Sequence, residues 1–538
     1  MDISTCLCLS LVEILALRAL GEAGYRTALQ PNPSLGTFLG LATVQYTLIK
    51  LYRIFIYPFW ISPLRHLPTP EGAQFAIGHF GRQLMAPSPI ELYVKWAKQF
   101  PDTPLIRHLG PLNKVVVLIN GIEAHREVFQ TNCYSFEKPA FFHRFISEIA
   151  GTGLLFSEGH EHMRQKKIVT RVFTTPYVRR TLPVFQENAS LLTRYIDKAC
   201  LQRGKGVIEL QTMYSKAAMD IIGKTALGVD LENLVSPVLK MDFLQCYHRM
   251  FESSPTSMAI AILNSYIPIR RLLPFVKANT NYADASGEVK RMLRQCAQDR
   301  ALEMKDAEKG ESSRCLLTYM LETNELTDDE IIGHLLNSLS AGHETISGAM
   351  SWGTLMLARN PDIQDKLRAE VQDLLSQKPV PEYSDIESMK YMQNFIREIL
   401  RFFSPAVASH REAVRDVTIC GQYIPKGTHV VFCPETTNHS TAIWGPTADD
   451  FDPDRWNNLT GDAGTPYSVM SFGNGPRLCI GKTYALVEMK VLFIEVISKF
   501  RFSLTPELIA LNGKLPKVKN PGVTLRAEGG IRLMTERL

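Results

Sequence analysis

No C-x-x-C pair occurs among the ten cysteines of this 538-residue chain. That excludes a zinc ribbon and a thioredoxin-like redox motif. Cys6 and Cys8 sit in an apolar N-terminal run and the others lie far apart, so a disulfide framework is not expected and reduced thiols facing a cytosol are. No repeat of fixed period and no Gly/Ser-rich or Pro-rich linker interrupts the body of the chain. One large body behind an N-terminal appendix is therefore the simpler organisation, despite a length that would allow several domains. Charge of one sign is also lacking. Lys and Arg total 59 against 54 Asp and Glu, a scattered excess that gives no footprint for nucleic acid.

A long uninterrupted apolar run is missing as well. The first apolar stretch, from Ile3 to Leu20, is broken by Glu13 and Arg18. The second starts near Leu35 and is uncharged as far as Ile49, about 15 residues where roughly 20 are needed to span hydrocarbon. Lys50 and Arg53 can snorkel to headgroups and lengthen it. Residues 1–62 are thus read as an apolar anchor region with a transmembrane helix over about 35–57. A buried or surface-lying amphipathic helix is the other reading. A cleavable signal fits poorly, since Asp2 stands where a basic segment belongs. Lys50, Arg53 and Arg65 after the stretch favour a cytosolic body. Pro58, Pro63, Pro68 and Pro70 prevent a continuous helix, and 63–72 is read as a stiff hinge ahead of a body at 73–538.

Helical periodicity dominates from about 121 to 375, including Asn188–Ala199, Thr212–Leu227 and Val289–Lys305. The runs LIRHLG and KVVVLIN predict a hairpin, and VTICG and THVVFC predict short strands after about 405. The fold class is mainly α with a small β component. Thr327-Asp328-Asp329-Glu330 is a capping-box pattern. It opens a helix predicted to run to about Ala358, where Asn360-Pro361 stops it. Its apolar middle marks it as the buried central helix.

The segment SFGNGPRLCIGKTYALVEMK carries the most chemistry. Phe472, Gly473, Gly475, Arg477, Cys479 and Gly481 fit F-G-x-G-x-R-x-C-x-G. Glycines let backbone approach a flat macrocycle, and nearby amides can donate to a ligating sulfur. Arg477 can reach a carboxylate as a charge-assisted donor. The helix predicted from Lys482 places Cys479 just before an N-terminus, where the dipole favours a thiolate.

On these residues the chain resembles the cytochrome P450 family, and further signatures stand in the family's order before the loop. The resemblance implies the P450 fold, with haem b (iron protoporphyrin IX) bound through Cys479 as the axial ligand of iron. It makes Glu344 and Thr345, in Ala341-Gly342-His343-Glu344-Thr345, an acid–alcohol pair that delivers protons during oxygen activation. Glu398 and Arg401 form an E-x-x-R, whose i, i+3 spacing puts both on one helix face. With Arg455 in FDPDRW they would make a buried ion network supporting the cysteine loop. Arg477 and Arg411 would contact haem propionates. Where the family commonly has W-x-x-x-R, this chain has His162 and Lys166. Both can donate to a propionate, although lysine lacks the planar fork of arginine, and Arg164 or Lys167 can substitute for Lys166. His160 and His162 are two apart and face different ways on a helix, which disfavours a metal pair.

The resemblance further implies a monooxygenase that inserts one oxygen atom from O2 into a lipophilic small molecule. The nearest analogy is a terpenoid or polyketide intermediate of fungal secondary metabolism. Electrons would come from NADPH through a cytochrome reductase, docking near Arg477, Lys482 and Lys490. The expected location is the endoplasmic reticulum membrane, with the catalytic body facing the cytosol. Phe136, Phe141, Phe142, Phe145, Ala406 and Val407 are candidate pocket residues. The rival readings are a haem-thiolate isomerase or dehydratase that works without reductase, and a non-catalytic haem sensor or carrier.

Overall fold

The computed structural model describes residues 3–22, 35–203, 206–237, 239, 241–250, 254–306, 315–520 and 523–538. Residues 1–2 and 23–34 of the expected anchor region lie outside the described residues. The chain divides into two units, one of residues 1–82 with 106–117 and one of 83–105 with 118–538.

In the first unit, helices Ile3–Glu22 and Leu35–Leu51 pack on each other. Cys6 and Ser10 are buried between them, and Ser10 donates to Gln45 at 3.3 Å. Leu9, Val12, Leu15, Leu39 and Leu48 remain exposed on the outside. The span 35–57 is helical throughout, but not as one α-helix. The α-helix ends at Leu51, and Tyr52–Ile61 continues in wider i→i+5 turns around Pro58, whose missing amide cannot hold an α-helical ladder. Among the described residues no helix is long and apolar enough to cross a membrane. The segment after Ile61 is non-helical. Arg107 ties it down, donating to the Pro58 carbonyl at 2.6 Å and to Thr69 at 3.1 Å.

The second unit is built around the helix Asp328–Arg359. Its start carries the full capping box, with Thr327 and Glu330 bonding each other's backbone amides, and its C-cap is Asn360. Residues Ile346 to Ala358 are buried without a break, which is why the sequence there is apolar on all sides. Helices Leu210–Ile222, Lys390–Phe402 and Lys482–Lys499 pack against it. Gly342 lies against Ile222, where an added Cβ would stand 3.1 Å from the isoleucine tip. The glycine in the A-G-H-E-T run thus permits a close helix crossing.

The sheets are small, and the strand pairs given next are antiparallel. Ser409–Ala413 pairs with His429–Phe432 on one side (Arg411 opposite Val430) and with Phe136–Glu137 on the other (Phe136 opposite Ala413). Arg532–Arg537 lies between Val207–Glu209 and Phe500–Leu504. Val417–Ile419 and Gln422–Ile424 form a tight hairpin. The predicted strands LIRHLG and KVVVLIN occur as Leu105–Leu109 and Val115–Ile119.

Candidate functional site

The cysteine loop closes on itself before its helix begins. The Cys479 amide donates to the Phe472 carbonyl at 2.9 Å, and the Gly473 amide to Met470 at 2.8 Å. Gly473 and Gly475 have φ of +66° and +65°, conformations that glycine adopts without a Cβ penalty. At Gly475 a Cβ would also collide with the Phe129 carbonyl oxygen. Gly481 is the N-cap of Lys482–Lys499, and Lys482 sits 5.9 Å from the Phe472 ring.

Cys479 is accessible, yet burial raises its thiol pKa against the lowering effects of the Gly481 amide and Lys482. Accessibility combined with desolvation puts it on the wall of an internal recess. A bound cation would reverse the balance, since a metal ion deprotonates a coordinating thiol.

The loop is anchored from below by an ion network. Arg401 donates to both Glu398 oxygens, at 2.9 and 2.7 Å, and neither side chain is reached by solvent. Arg455 adds a bond to Glu398 at 3.0 Å, Trp456 another at 3.0 Å, and the Asp452 amide one at 2.8 Å. The remaining Arg401 protons go to the carbonyls of Asn438, Ala448 and Asp450. One carboxylate thus counters both guanidiniums and its oxygens are fully bonded, as a buried ion group requires. Ser471, the first residue of the loop, donates to the carbonyl of Leu400, next to Arg401. The sequence pointed to Glu398, Arg401 and Arg455, and the structure brings them together. It adds Trp456, which the FDPDRW run contains but whose role carries no sequence signal.

On the central helix, Thr345 donates to the Ala341 carbonyl at 2.7 Å, a back-bond that leaves its oxygen lone pairs free to accept. Ala341 is exposed although Leu339 and His343 are buried, so the helix borders open space here. Glu344 is turned aside. Arg526 donates to one of its oxygens at 2.9 Å and Thr524 to the other at 3.1 Å.

The third group is a buried cationic cluster. Arg477 donates to the Ser157 carbonyl at 2.7 Å and pairs with Glu158. Lys138 reaches the same carboxylate at 3.2 Å. Lys166 donates to the Pro476 carbonyl at 2.6 Å, inside the cysteine loop. Arg411 is buried in its strand, bonded to Ser409 at 2.7 Å. His162 faces Tyr134 at 3.3 Å. Burial leads every shift, and neighbouring cations add to it. His162 is driven down to about 3 by burial and then by Arg477, Lys138, Lys166 and Arg411. Lys138 falls to about 7 through burial and Arg411, with Glu158 opposing. Arg411 falls to about 10, chiefly by burial. Lys138, Glu158 and Tyr134 were missed in the sequence, because no spacing rule links them to the loop. The alternatives to Lys166 do not meet here: Arg164 pairs with Glu161 and Glu330, and Lys167 is exposed.

This donor set fits haem. An accessible sulfur stands on a rigid loop, and a desolvated cluster of cations bonded to one carboxylate calls for further anionic groups, which two propionates would supply. His162, Lys166, Arg411, Arg477 and Lys138 are the residues that would hold them. Among the described residues no group of three or more His, Cys, Asp or Glu side chains is placed to hold a bare metal ion.

Of the candidate pocket residues, Phe136 and Val407 are buried core. Phe141 and Phe142 pack on His410 with ring centroids 5.3 and 5.4 Å away, and Phe145 packs on the small cluster of Ile146 and Phe156. Ala406 is exposed and bridges to Thr524. Two expected reductase contacts are corrected: Arg477 is buried on Glu158, and Lys490 is buried on Glu387 at 2.6 Å. Their charges are satisfied inside the fold, and of the three only Lys482 is exposed.

The chain is similar to known proteins over most of its length. It is 30% identical over 469 residues to the cytochrome P450 monooxygenase sphH of Aspergillus fumigatus, covering 84% of this chain and 86% of that one. It is 27% identical to the cytochrome P450 monooxygenase ptmK of Penicillium ochrochloron, with 86% and 93% covered. Identity to the cytochrome P450 monooxygenase buaD of Petromyces alliaceus is also 27%, with 88% of each covered. The family profile described as Cytochrome P450 matches residues 75–528, a span that contains the cysteine loop, the ion network, the A-G-H-E-T run and the cationic cluster. The chain belongs to the cytochrome P450 family and is an oxidoreductase.

Proposed function

We propose that this chain is a membrane-associated haem-thiolate monooxygenase that oxidises a lipophilic intermediate of secondary metabolism, terpenoid or polyketide in character, with electrons from NADPH through a reductase. The observation that carries the reading is the joint presence of an accessible Cys479 on a braced loop and of Glu344-Thr345 on the central helix. Haem ligated by a cysteinate activates dioxygen for insertion into C–H or C=C bonds. The chain's own residues do the rest. Cys479 supplies the sulfur, and Glu398, Arg401 and Arg455 keep its loop in place. Thr345 accepts and passes a hydrogen bond in the recess, and Glu344 exchanges protons when it leaves Arg526. An isomerase or dehydratase has no use for this acid–alcohol pair.

Lys167, Arg171 and Lys482 are exposed cations suited to an acidic face of a reductase. The exposed leucines of the N-terminal helix pair support attachment to a membrane surface, because apolar area left in water is unfavourable. The test is the reduced, carbon-monoxide-bound spectrum of the purified protein, followed by NADPH consumption with a reductase. A red-shifted thiolate band that vanishes in Cys479→Ala supports the reading. A missing band, or turnover without reductase, overturns it.

A further inference from the structure

His162 differs from its neighbours in the cationic cluster because its ring carries no charge. It is buried on the helix Gly159–Val169, and burial, then Arg477, Lys138, Lys166 and Arg411, hold its pKa at about 3. With Glu158, two propionates would bring three carboxylates against those four cations, so the surroundings stay positive when the cofactor is in place. A neutral imidazole has one N–H, on Nδ1 or on Nε2, and its other nitrogen can only accept. To hold an anion the ring must offer the N–H and not the lone pair. Which nitrogen carries the proton is set by the partner of the other one.

Among the described residues Tyr134 is the only hydrogen-bond partner of that ring, with its hydroxyl 3.3 Å from Nδ1. The phenol keeps its proton, because burial raises its pKa, and the Arg477 guanidinium lies 5.7 Å from its ring. Nδ1 is the acceptor this proton meets. The hydroxyl is also held in place from behind. Tyr134 sits in the turn Cys133–Ser135. There the Ser135 amide donates to the Asn132 carbonyl at 2.8 Å, and the Ser135 carbonyl accepts from the Val414 amide at 2.9 Å. The strand that follows, Phe136–Glu137, pairs with the strand that carries Arg411. One framework therefore positions the phenol and a propionate-binding arginine together.

We propose that Tyr134 is a positioning residue for haem: its hydroxyl donates to Nδ1 of His162 and fixes the tautomer whose Nε2–H is offered to a propionate. Without the hydroxyl the imidazole divides between two tautomers, and only one of them can donate from Nε2. Tyr134 and His162 together supply one neutral donor, which is what the tryptophan of the W-x-x-x-R pattern carries in its indole N–H. The inference rests on the haem reading of the cluster and adds to it a residue that touches the cofactor only through another.

The experiment is transfer of haem from the full-length, loaded protein to excess apomyoglobin, followed by absorbance. Tyr134→Phe removes only the hydroxyl and should speed haem loss about fivefold, the scale of one hydrogen bond. His162→Gln brings an amide N–H with no tautomer to choose, so adding Tyr134→Phe to it should change the rate by less than about twofold. His162→Met serves as that background if the glutamine variant takes up no haem. A rate that Tyr134→Phe leaves unchanged in the wild type overturns the proposal. An equal acceleration in the His162 backgrounds also overturns it, since the tyrosine would then act on haem or on the fold directly. Nitrogen-15 shifts of the ferrous, carbon-monoxide-bound protein read the tautomer itself: an unprotonated Nδ1 is expected, and a protonated one sinks the assignment. The carbon-monoxide band of the same sample reports on the haem-thiolate reading, so the two can fail independently.

Discussion

Glu398 receives both arms of the Arg401 guanidinium, at 2.7 and 2.9 Å, in a place that solvent does not reach. Removing the acid leaves two arginines facing each other without a countercharge. Truncating one partner of a buried pair costs about 3–5 kcal/mol, a large fraction of a typical domain's stability. We expect Glu398→Ala to yield little haem-loaded protein, and Glu398→Gln to recover only part of it. Haem content per chain and the thermal midpoint measure this. A Glu398→Ala protein with full haem content would refute the bracing role.

Gly475→Ala tests the loop itself. The left-handed backbone alone costs a non-glycine residue about 1–2 kcal/mol, and the new Cβ meets the Phe129 carbonyl. Loss of the reduced carbon-monoxide band should accompany a lower melting temperature. Gly464→Ala is the control: nothing lies within 4 Å of its Cβ position, so the change should stay within about 0.5 kcal/mol.

His439 predicts a pH dependence. Its ring bridges Asp449 and Glu435, each at 3.0 Å. Burial works against its charge, but the bonds to Asp449 and Glu435 prevail and raise its pKa to about 9. The unfolded value is about 6.5. A folded pKa above the unfolded one gives stability that is fully present below about pH 6.5 and is lost as pH rises through 9. The contribution is up to about 3 kcal/mol. Thermal midpoints of the haem-loaded wild type, in which propionates would hold Lys138 charged, should therefore fall between pH 6.5 and 9, with a flatter profile in His439→Gln. Identical profiles would rule this histidine out as the source.

Lys138 separates the cofactor-free chain from the loaded one. Its pKa of about 7 against about 10.4 unfolded means that the unfolded chain holds more protons between those values. The cofactor-free protein should gain stability as pH rises across that window. Lys138→Met should raise its melting temperature at pH 6.5 and weaken haem binding by about tenfold. Haem titration by absorbance and calorimetric melting read the two effects. Tighter haem binding in the variant would contradict the propionate assignment.

The parts of the site that follow local rules could be read in the chain. The capping box at Thr327, the i, i+3 pair Glu398–Arg401 and the glycine pattern around Cys479 are each set by backbone geometry within a few residues. The partners brought by folding could not. Glu158 meets Arg477 across 319 residues, and Arg526 meets Glu344 across 182; neither pair has a spacing to recognise. Lys490 looked like a surface charge because lysine usually is one, yet Glu387 draws it inside. The helix beginning at Leu35 carried an apolar signal but not its length, since Pro58 and the wider turns after Leu51 depend on how the following chain is held.

The hydrogen bond from the Cys479 amide to the Phe472 carbonyl bears on the kinetics of maturation. A sulfur carried on an open, wandering segment would have to search for iron while the chain folded around it. Here the eight residues from Phe472 to Cys479 are already closed, and Ser471 fastens their start to the helix of the ion network. Haem uptake is then a docking step onto a preset target. Its rate should follow how often the surrounding helices part, with little contribution from rearrangement of the loop.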